Sequence, residues 1–244
     1  MLEVTDLTAP PALTSITITI GAGEIVGVAG LEGSGKEALA PALLGMQRVA
    51  TGRIVVGGKT SPIRSPSAAI VHGMAWIPAD RRGDGVLAGM TVEQNIIISR
   101  LDEVSRFGFI RHSKARELAQ EYMHLLDIHA SGPRQKTGTL SGGNQQKVVL
   151  ARCLARKPRV LVMEEPTAGI DVGAKAEIYA ILRRYAAAGN GVLLISSELP
   201  ELLGVSDRIV VLRSGRVAGA FNRDEATQEA IMECATGVTA VVTP

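Results

Sequence analysis

The chain is poor in the residue types that mark several large classes of protein. Its 244 residues include two cysteines, three phenylalanines, three tyrosines and one tryptophan. Cys153 and Cys234 have neither the spacing of a metal site nor the number needed for a disulfide framework, which favours a reducing cytosol. So few aromatic residues predict no surface on which the bases of single-stranded nucleic acid could stack.

Long apolar runs and an excess of one charge are also missing. The longest uninterrupted apolar run covers residues 178–182, whereas a helix that spans a bilayer needs about 20 residues. The amino-terminal segment has no basic start followed by an apolar block, so we expect no signal peptide. The net charge is only +2, which predicts no nucleic-acid partner.

What is present is the composition of a folded protein with an ample core, since 46% of the residues are hydrophobic and 20% are charged. Short apolar runs rich in leucine and β-branched residues alternate with stretches of helical period. Such runs are typical of strands buried on both faces of a parallel sheet, so the alternation predicts an α/β fold. Strands are predicted at 16–20, 24–28, 53–56, 74–77, 160–163, 192–195 and 209–212, and helices at 36–44 and 174–187.

The segment 91–155 differs from the rest of the chain. It has helical period at 92–99, 114–128 and 143–156, without a convincing strand. We interpret it as a helical lobe inserted into an α/β core made of residues 1–90 and 156–237. A single domain is therefore predicted for residues 1–244, with residues 238–244 as a short frayed tail.

Residues 30–36 match the phosphate-loop pattern G-x-x-x-x-G-K between a predicted strand and a predicted helix. Glycines at these positions let consecutive N–H groups surround phosphate oxygens, and the helix that follows adds positive potential. A glycine-rich turn without a ligand is the alternative, since the pattern alone is weak. The residues expected to bind phosphate are Gly30, Gly33, Ser34, Gly35 and Lys36, with Glu37 next to them.

Glu37 stands where a serine or threonine hydroxyl would normally ligate Mg²⁺. A carboxylate there faces the negative charge of a nucleotide, and two unit charges about 4 Å apart repel by about 4 kcal/mol at an effective dielectric near 20. Two interpretations stay open. Either Glu37 ligates Mg²⁺, which offsets part of the repulsion, or it turns away from the pocket.

A second acidic position follows the apolar run 160–163, where Glu164 and Glu165 come in succession. A carboxylate at the carboxyl edge of a strand beside a phosphate loop can hold Mg²⁺ through water. A second carboxylate can act as the general base that polarises an attacking water. We assign the metal role to Glu164 and the catalytic role to Glu165. Two solvated acids at a strand end are the alternative.

Residues 140–147, Leu-Ser-Gly-Gly-Asn-Gln-Gln-Lys, resemble the signature motif of ABC ATPases, and Asp171 resembles the aspartate of their D-loop. The phosphate loop, the signature, the acidic strand end and the D-loop follow one another in the order of that family. The resemblance implies the ABC cassette of the P-loop NTPases, an α/β fold with a mixed sheet, an inserted helical lobe and an amino-terminal antiparallel β part. It also implies that the signature faces the ATP of a partner cassette through Leu140, Ser141, Gly142, Gly143, Asn144 and Gln145.

The resemblance can be narrowed to the second cassette of bacterial monosaccharide importers of the ribose, galactose and xylose type. It rests on residues 77–85, 89–95, 171–175 and 196–201. That family implies ATP and Mg²⁺ as ligands and a translocase that couples ATP hydrolysis to sugar import. The implied partners are a second cassette, membrane-spanning permease subunits and, indirectly, an extracytoplasmic sugar-binding protein. The implied location is peripheral, at the cytoplasmic face of the cell membrane.

The chain also departs from an active cassette at two positions outside the phosphate loop and the acidic strand end. In an active cassette the side chains at these positions would support hydrolysis. Ala79 stands where the Q-loop glutamine is expected, and Glu198 stands where the switch histidine is expected. Together with Glu37, and with Glu164 in place of an aspartate, they predict a weak pocket beside an intact signature. The alternatives are a regulatory cassette that never hydrolyses ATP, and an ABC protein outside transport. The latter would carry coiled-coil or zinc-hook insertions, or basic linkers, that are not apparent here.

Overall fold

The computed structural model describes residues 1–60 and 62–237. The strands, in chain order, are β1 (Leu2–Ala9), β2 (Leu13–Ile20), β3 (Ile25–Gly30), β4 (Thr51–Val56), β5 (Lys59–Thr60), β6 (Met74–Ile77), β7 (Ser105–Arg106), β8 (Phe109–Ile110), β9 (Val160–Glu164), β10 (Gly191–Ile195), β11 (Arg208–Arg213) and β12 (Arg216–Asn222). The α-helices are α1 (Lys36–Leu43), α2 (Pro66–Val71), α3 (Val92–Ile97), α4 (Leu101–Val104), α5 (His112–Leu125), α6 (Gly142–Leu154), α7 (Val172–Ala187), α8 (Leu199–Val205) and α9 (Gln228–Thr236).

These elements form two compact units. The first comprises residues 1–76, 159–165 and 183 onward, and the second comprises residues 77–158 and 166–182. That the whole chain is one domain stays a prediction, and the predicted tail lies outside the described residues. No helix in the described ranges is both long and apolar enough to cross a membrane.

The first unit is built around a six-stranded sheet in the order β12-β11-β3-β10-β9-β6. β3 is parallel to β10 and β11, β10 is parallel to β9, and β12 is antiparallel to β11. The β9 and β10 runs are buried along almost their whole length, which confirms the prediction made from their continuous apolar sequence. In the register of the sheet, Val28 pairs with Ile195 and Ile195 pairs with Glu164. The end of β3 and the end of β9 therefore lie at the same sheet edge.

A second sheet in the first unit is antiparallel, in the order β2-β1-β4-β5. It confirms the expected amino-terminal β part. The inward residues of β1 alternate with polar ones, and Leu2 pairs with Ile20 on one side and with Val56 on the other. These inward residues belong to the main hydrophobic cluster, together with Leu39 and Leu43 of α1. The antiparallel sheet thus stabilises the helix that follows the phosphate loop.

The second unit is mainly helical, with α3, α5 and α6 in mutual contact. It also contains the short antiparallel hairpin formed by β7 and β8, in a segment for which no strand was predicted. Phe107 and Gly108 turn the hairpin, with φ angles of 52° and 82°. Two positive φ values are typical of a type I′ turn, in which asparagine and glycine are the favoured residues. Phe107 and Phe109 are 87% and 79% exposed.

Candidate functional site

The predicted phosphate loop connects β3 to α1 in the first unit. Lys36 is the first residue of α1 and only 6% exposed, and its Nζ donates a hydrogen bond to the Gly30 carbonyl at 2.9 Å. The loop therefore closes around the ammonium group. A positive charge and the amino terminus of a helix meet at one point, which is the arrangement that binds phosphate.

Two glycines of this loop could not be replaced without strain. Gly35 has a φ of 99°, and a Cβ atom on it would lie 2.7 Å from the Ala12 carbonyl oxygen. Gly30 has an ordinary φ, but a Cβ atom there would lie 2.4 Å from Ser34 Oγ and 2.7 Å from the Leu212 carbonyl oxygen. Gly35 is thus needed for its backbone conformation, and Gly30 is needed for close packing.

Glu164 ends β9 at the sheet edge where β3 also ends. Its carboxylate accepts a hydrogen bond from Trp76, the only tryptophan of the chain. Trp76 Nε1 donates a hydrogen bond of 2.6 Å to Glu164 Oε2. Burial raises the pKa of Glu164, the Trp76 hydrogen bond lowers it, and the charges of Glu165 and Glu37 raise it. The net effect is a raised pKa. Trp76 was not among the candidate site residues, because nothing in its local sequence points to a partner 88 positions away.

Glu37 is exposed in the first turn of α1. Its charge acts on Glu164, so the two candidate Mg²⁺ ligands lie close enough to influence each other. Across the described residues, no cluster of three or more His, Cys, Asp or Glu side chains could hold a metal by itself. This donor set fits Mg²⁺ as it is commonly held beside nucleotides, by one or two carboxylates with phosphate oxygens and water.

Glu165 adopts a left-handed backbone conformation, with a φ of 43°. This conformation costs a residue other than glycine about 1–3 kcal/mol and is concentrated at functional sites. The Ser197 N–H donates to Glu165 Oε1 at 2.7 Å, and the Glu165 N–H donates to the Ile195 carbonyl at 2.8 Å. The carboxylate is therefore held by the segment that follows β10. Ser197 was not a candidate site residue, although its place directly after a central strand could have indicated it.

Glu198, at the expected switch position, lies in this same segment. Its N–H donates to Ser196 Oγ at 3.1 Å, and Ser196 Oγ lies 2.5 Å from Glu201 Oε2. Residues 196–198 thus form a hydrogen-bonded bend that presents a backbone N–H to Glu165. The first unit brings together the phosphate loop, Glu37, Glu164, Glu165 and Glu198.

The signature segment lies in the second unit, at the start of α6. Ser141 is the N-cap of this helix, because its Oγ accepts a hydrogen bond of 3.4 Å from the Asn144 N–H. The Gln145 side chain donates to the Leu140 carbonyl at 3.1 Å. A Cβ atom on Gly143 would lie 2.5 Å from the Ala174 Cβ. The turn is therefore fixed by its own hydrogen bonds, and Gly143 packs closely on α7.

Asp171 and Ala79 also lie in the second unit. Asp171 Oδ1 accepts a hydrogen bond of 3.0 Å from the Ala174 N–H, which caps the start of α7. Ala79 is exposed, and its carbonyl accepts a hydrogen bond from the Arg81 N–H at 3.0 Å. The second unit thus brings together the signature segment, Asp171 and Ala79.

Comparison with protein families gives a direct match. The family model described as "ABC transporter" matches residues 13–168. A ribose import ATP-binding protein, RbsA 2, of Rubrobacter xylanophilus is 46% identical over 98% of this chain and 46% of its own length. The RbsA protein of Geobacillus kaustophilus is 44% identical over 97% of the chain and 48% of its own length. The chain thus spans about half the length of the curated relatives it matches.

Solved structures share the fold. MJ1267, an ATP-binding cassette of an ABC transporter, aligns with a TM-score of 0.82 over 96% of this chain and 98% of its own, at 22% identity. The cassette MJ0796, in a dimeric state after hydrolysis bound to ADP and Pi, aligns with a TM-score of 0.76 over 91% and 99%, at 18% identity. At these identities the likeness establishes the architecture, and the expected fold class is confirmed.

Proposed function

The chain belongs to the ABC transporter family, and from that premise we propose that it binds and hydrolyses ATP for an importer of a ribose-like monosaccharide. The names of the relatives that are 44–46% identical to it support the sugar class. The observation that carries the proposal is the position of Lys36, buried at the start of α1 on the sheet edge that also bears Glu164.

In this proposal the N–H groups of the phosphate loop and Lys36 bind the β- and γ-phosphates of ATP. Glu164 would hold Mg²⁺ through water, and its Oε2 accepts the hydrogen bond of the Trp76 indole. Bound Mg²⁺ neutralises charge on the transferred phosphoryl group. Glu37 lies near enough to compete for the ion or to repel the nucleotide.

Glu165 is the proposed general base. One of its carboxylate oxygens accepts the Ser197 N–H at 2.7 Å, which holds the carboxylate in place. Neither the Ala79 methyl group nor the Glu198 carboxylate can donate a hydrogen bond to the γ-phosphate or water. We therefore expect slow hydrolysis in this chain's own pocket.

The signature serves another nucleotide. The Ser141 hydroxyl and the N–H groups of Gly142 and Gly143 can donate to the γ-phosphate of ATP held by a second cassette, and such charge-assisted bonds are strong. The chain thus completes its partner's pocket while its own pocket works poorly.

The remaining partners follow from the same proposal. Permease subunits contact residues 79–90, and an extracytoplasmic sugar-binding protein delivers the sugar to them. The chain sits at the cytoplasmic face of the membrane and has no nucleic-acid partner. The relatives are about twice as long, and the second cassette can belong to the same polypeptide or to another one.

The test compares Gly142→Asp with Glu165→Gln in the assembled transporter. A Cβ atom on Gly142 would lie 3.2 Å from Arg81 Nη2 and 3.4 Å from the Gly169 carbonyl oxygen, so any side chain there requires a small adjustment of these neighbours. The aspartate adds a charge that repels the partner's γ-phosphate. We expect Gly142→Asp to abolish nearly all steady-state ATPase activity and sugar uptake, and Glu165→Gln to cost much less. Gly142→Ala is the matched control for added volume.

Equal damage from Gly142→Asp and Glu165→Gln would contradict the asymmetric assignment. Ala79 and Glu198, which offer no donor side chain at the two supporting positions, also favour a second candidate, a regulatory cassette that binds ATP without hydrolysing it. Single-turnover hydrolysis, measured with and without the partner cassette, separates the two. A complete absence of product from this pocket in both states would favour the regulatory cassette.

A further inference from the structure

Residues Arg81–Gly85 form one turn of π-helix directly after Ala79 and Asp80. Asp80 Oδ1 accepts hydrogen bonds from the Arg82 N–H at 3.0 Å and from the Gly83 N–H at 2.9 Å. The Val86 N–H closes the turn on the Arg81 carbonyl at 2.7 Å. These three hydrogen bonds stabilise the turn. Arg82 is exposed, whereas Arg81 is half-buried.

The Arg81 guanidinium reaches two other segments of the second unit. Its Nη1 donates to the Ala168 carbonyl at 3.3 Å. Its Nη2 lies 3.2 Å from the position that a Cβ atom on Gly142 would occupy, and the Gly169 carbonyl oxygen lies 3.4 Å from that same position. The guanidinium therefore lies between the first residue of α6 and the loop at 168–169.

The other end of the same turn is also attached to α6. The Arg152 side chain donates a hydrogen bond to the Gly85 carbonyl. A Cβ atom on Gly85 would lie 3.6 Å from Val149 Cγ2. Both ends of the turn are therefore attached to the signature helix.

The placement of Arg81 is electrostatically unfavourable. Burial lowers the pKa of its guanidinium, and the neighbouring charge of Arg82 lowers it further. Its Nε is buried and has no hydrogen-bond partner within the described residues, which costs free energy. A cation near the amino terminus of α6 also opposes the helix dipole. Stabilising the fold is a poor explanation for a cation held in this way.

We propose that Arg81 is a positioning residue for the signature, which fixes Gly142 against the loop at 168–169 and couples the turn 81–85 to the signature. This inference rests on the proposed function, because it assigns a role toward the nucleotide of a second cassette. In this role Arg81 connects the segment after Ala79 to the start of α6.

The test uses Arg81→Gln, with Arg82→Gln as the matched control, since the two arginines are adjacent and differ in their contacts. Hydrogen–deuterium exchange of the purified chain is read at residues 141–146 and 166–171. We expect exchange there to rise about tenfold in Arg81→Gln, which corresponds to the loss of one charge-assisted hydrogen bond. Arg82→Gln should leave it unchanged. Arg81→Lys keeps the charge without the planar fork and should give an intermediate value.

A kinetic measurement separates positioning from a general loss of structure. In the assembled transporter, Arg81→Gln should lower kcat about tenfold with little change in KM. The affinity of the isolated variant chain for Mg-ATP should remain within about twofold, because that pocket lies in the first unit. Loss of ATP binding in the isolated variant, or equal exchange in the two glutamine variants, would overturn the inference. If the wild-type assembly hydrolyses no ATP, the proposed function fails, whereas the exchange experiment still decides whether Arg81 fixes the signature.

Discussion

Burial, opposed by the hydrogen bond from the Trp76 indole N–H, is the main cause of the raised pKa of Glu164. The charges of Glu165 and Glu37 raise this pKa further. Only the ionised carboxylate attracts Mg²⁺. In the proposed site, where Glu164 holds Mg²⁺, a falling pH should therefore displace the ion at a higher pH than it would from an ordinary glutamate.

Trp76→Phe should therefore weaken Mg²⁺-dependent ATP binding about tenfold, the lower end of what a hydrogen bond to a charged group contributes. The pH at which binding declines should move upward, because a contribution that lowers the pKa has been removed. Calorimetric titration of the chain with ATP and Mg²⁺ at several pH values measures both effects.

Glu37→Gln provides a control of opposite sign for the same titration. It removes a charge that raises the pKa of Glu164, so the pH at which Mg²⁺-dependent ATP binding declines should become lower. A shift in the same direction for Trp76→Phe and Glu37→Gln would contradict this account of the site.

At the scale of elements, close packing between α6 and α7 leaves no room for a side chain at Gly143. A Cβ atom there would lie 2.5 Å from the Ala174 Cβ, and overpacking of this kind costs about 1–3 kcal/mol. Gly143→Ala should lower the free energy of unfolding by about that amount, as measured by urea denaturation. Ala174→Gly removes the opposing methyl group, so the double variant should lose less stability than the sum of the two single changes.

The sequence predicted those elements in which consecutive residues are apolar because they are all buried. β3, β9 and β10 were recognised because strands covered on both faces are apolar throughout. β1 was missed because polar residues interrupt its inward-facing leucines and valine, and β12 was missed because most of its residues are exposed. Short helices such as α8 have too few turns to establish a period.

The candidate site was predictable to the extent that its residues are consecutive in sequence. The phosphate loop, the acidic strand end and the signature each lie on one short segment. The contacts of Glu164 and Glu165 come from Trp76 and Ser197, at 88 and 32 positions' distance. The place of Ser197 directly after a central strand could have indicated it, but a single sequence does not show which residues pair, because the pairs arise from the order of strands in the folded sheet.

At the scale of the whole molecule, the phosphate loop and the signature belong to different compact units. Mg-ATP should therefore slow hydrogen exchange of the isolated chain at residues 30–37 and 164–165, and leave residues 140–145 unaffected. Protection of 140–145 should arise when the partner cassette is added. Lys36→Ala is the control, and it should remove the protection of the first set while the signature still responds to a partner loaded with ATP.

The hairpin at Phe107 and Phe109 determines how the purified chain behaves in the test tube. Phe107 and Phe109 are 87% and 79% exposed and offer an apolar contact to any neighbouring molecule in a concentrated solution. A net charge of only +2 provides little mutual repulsion to prevent it. We expect the chain to self-associate reversibly as its concentration rises, and a variant with serine at both positions to stay monomeric in light scattering. Val172→Ser, at an 83% exposed apolar position elsewhere, should give no such improvement.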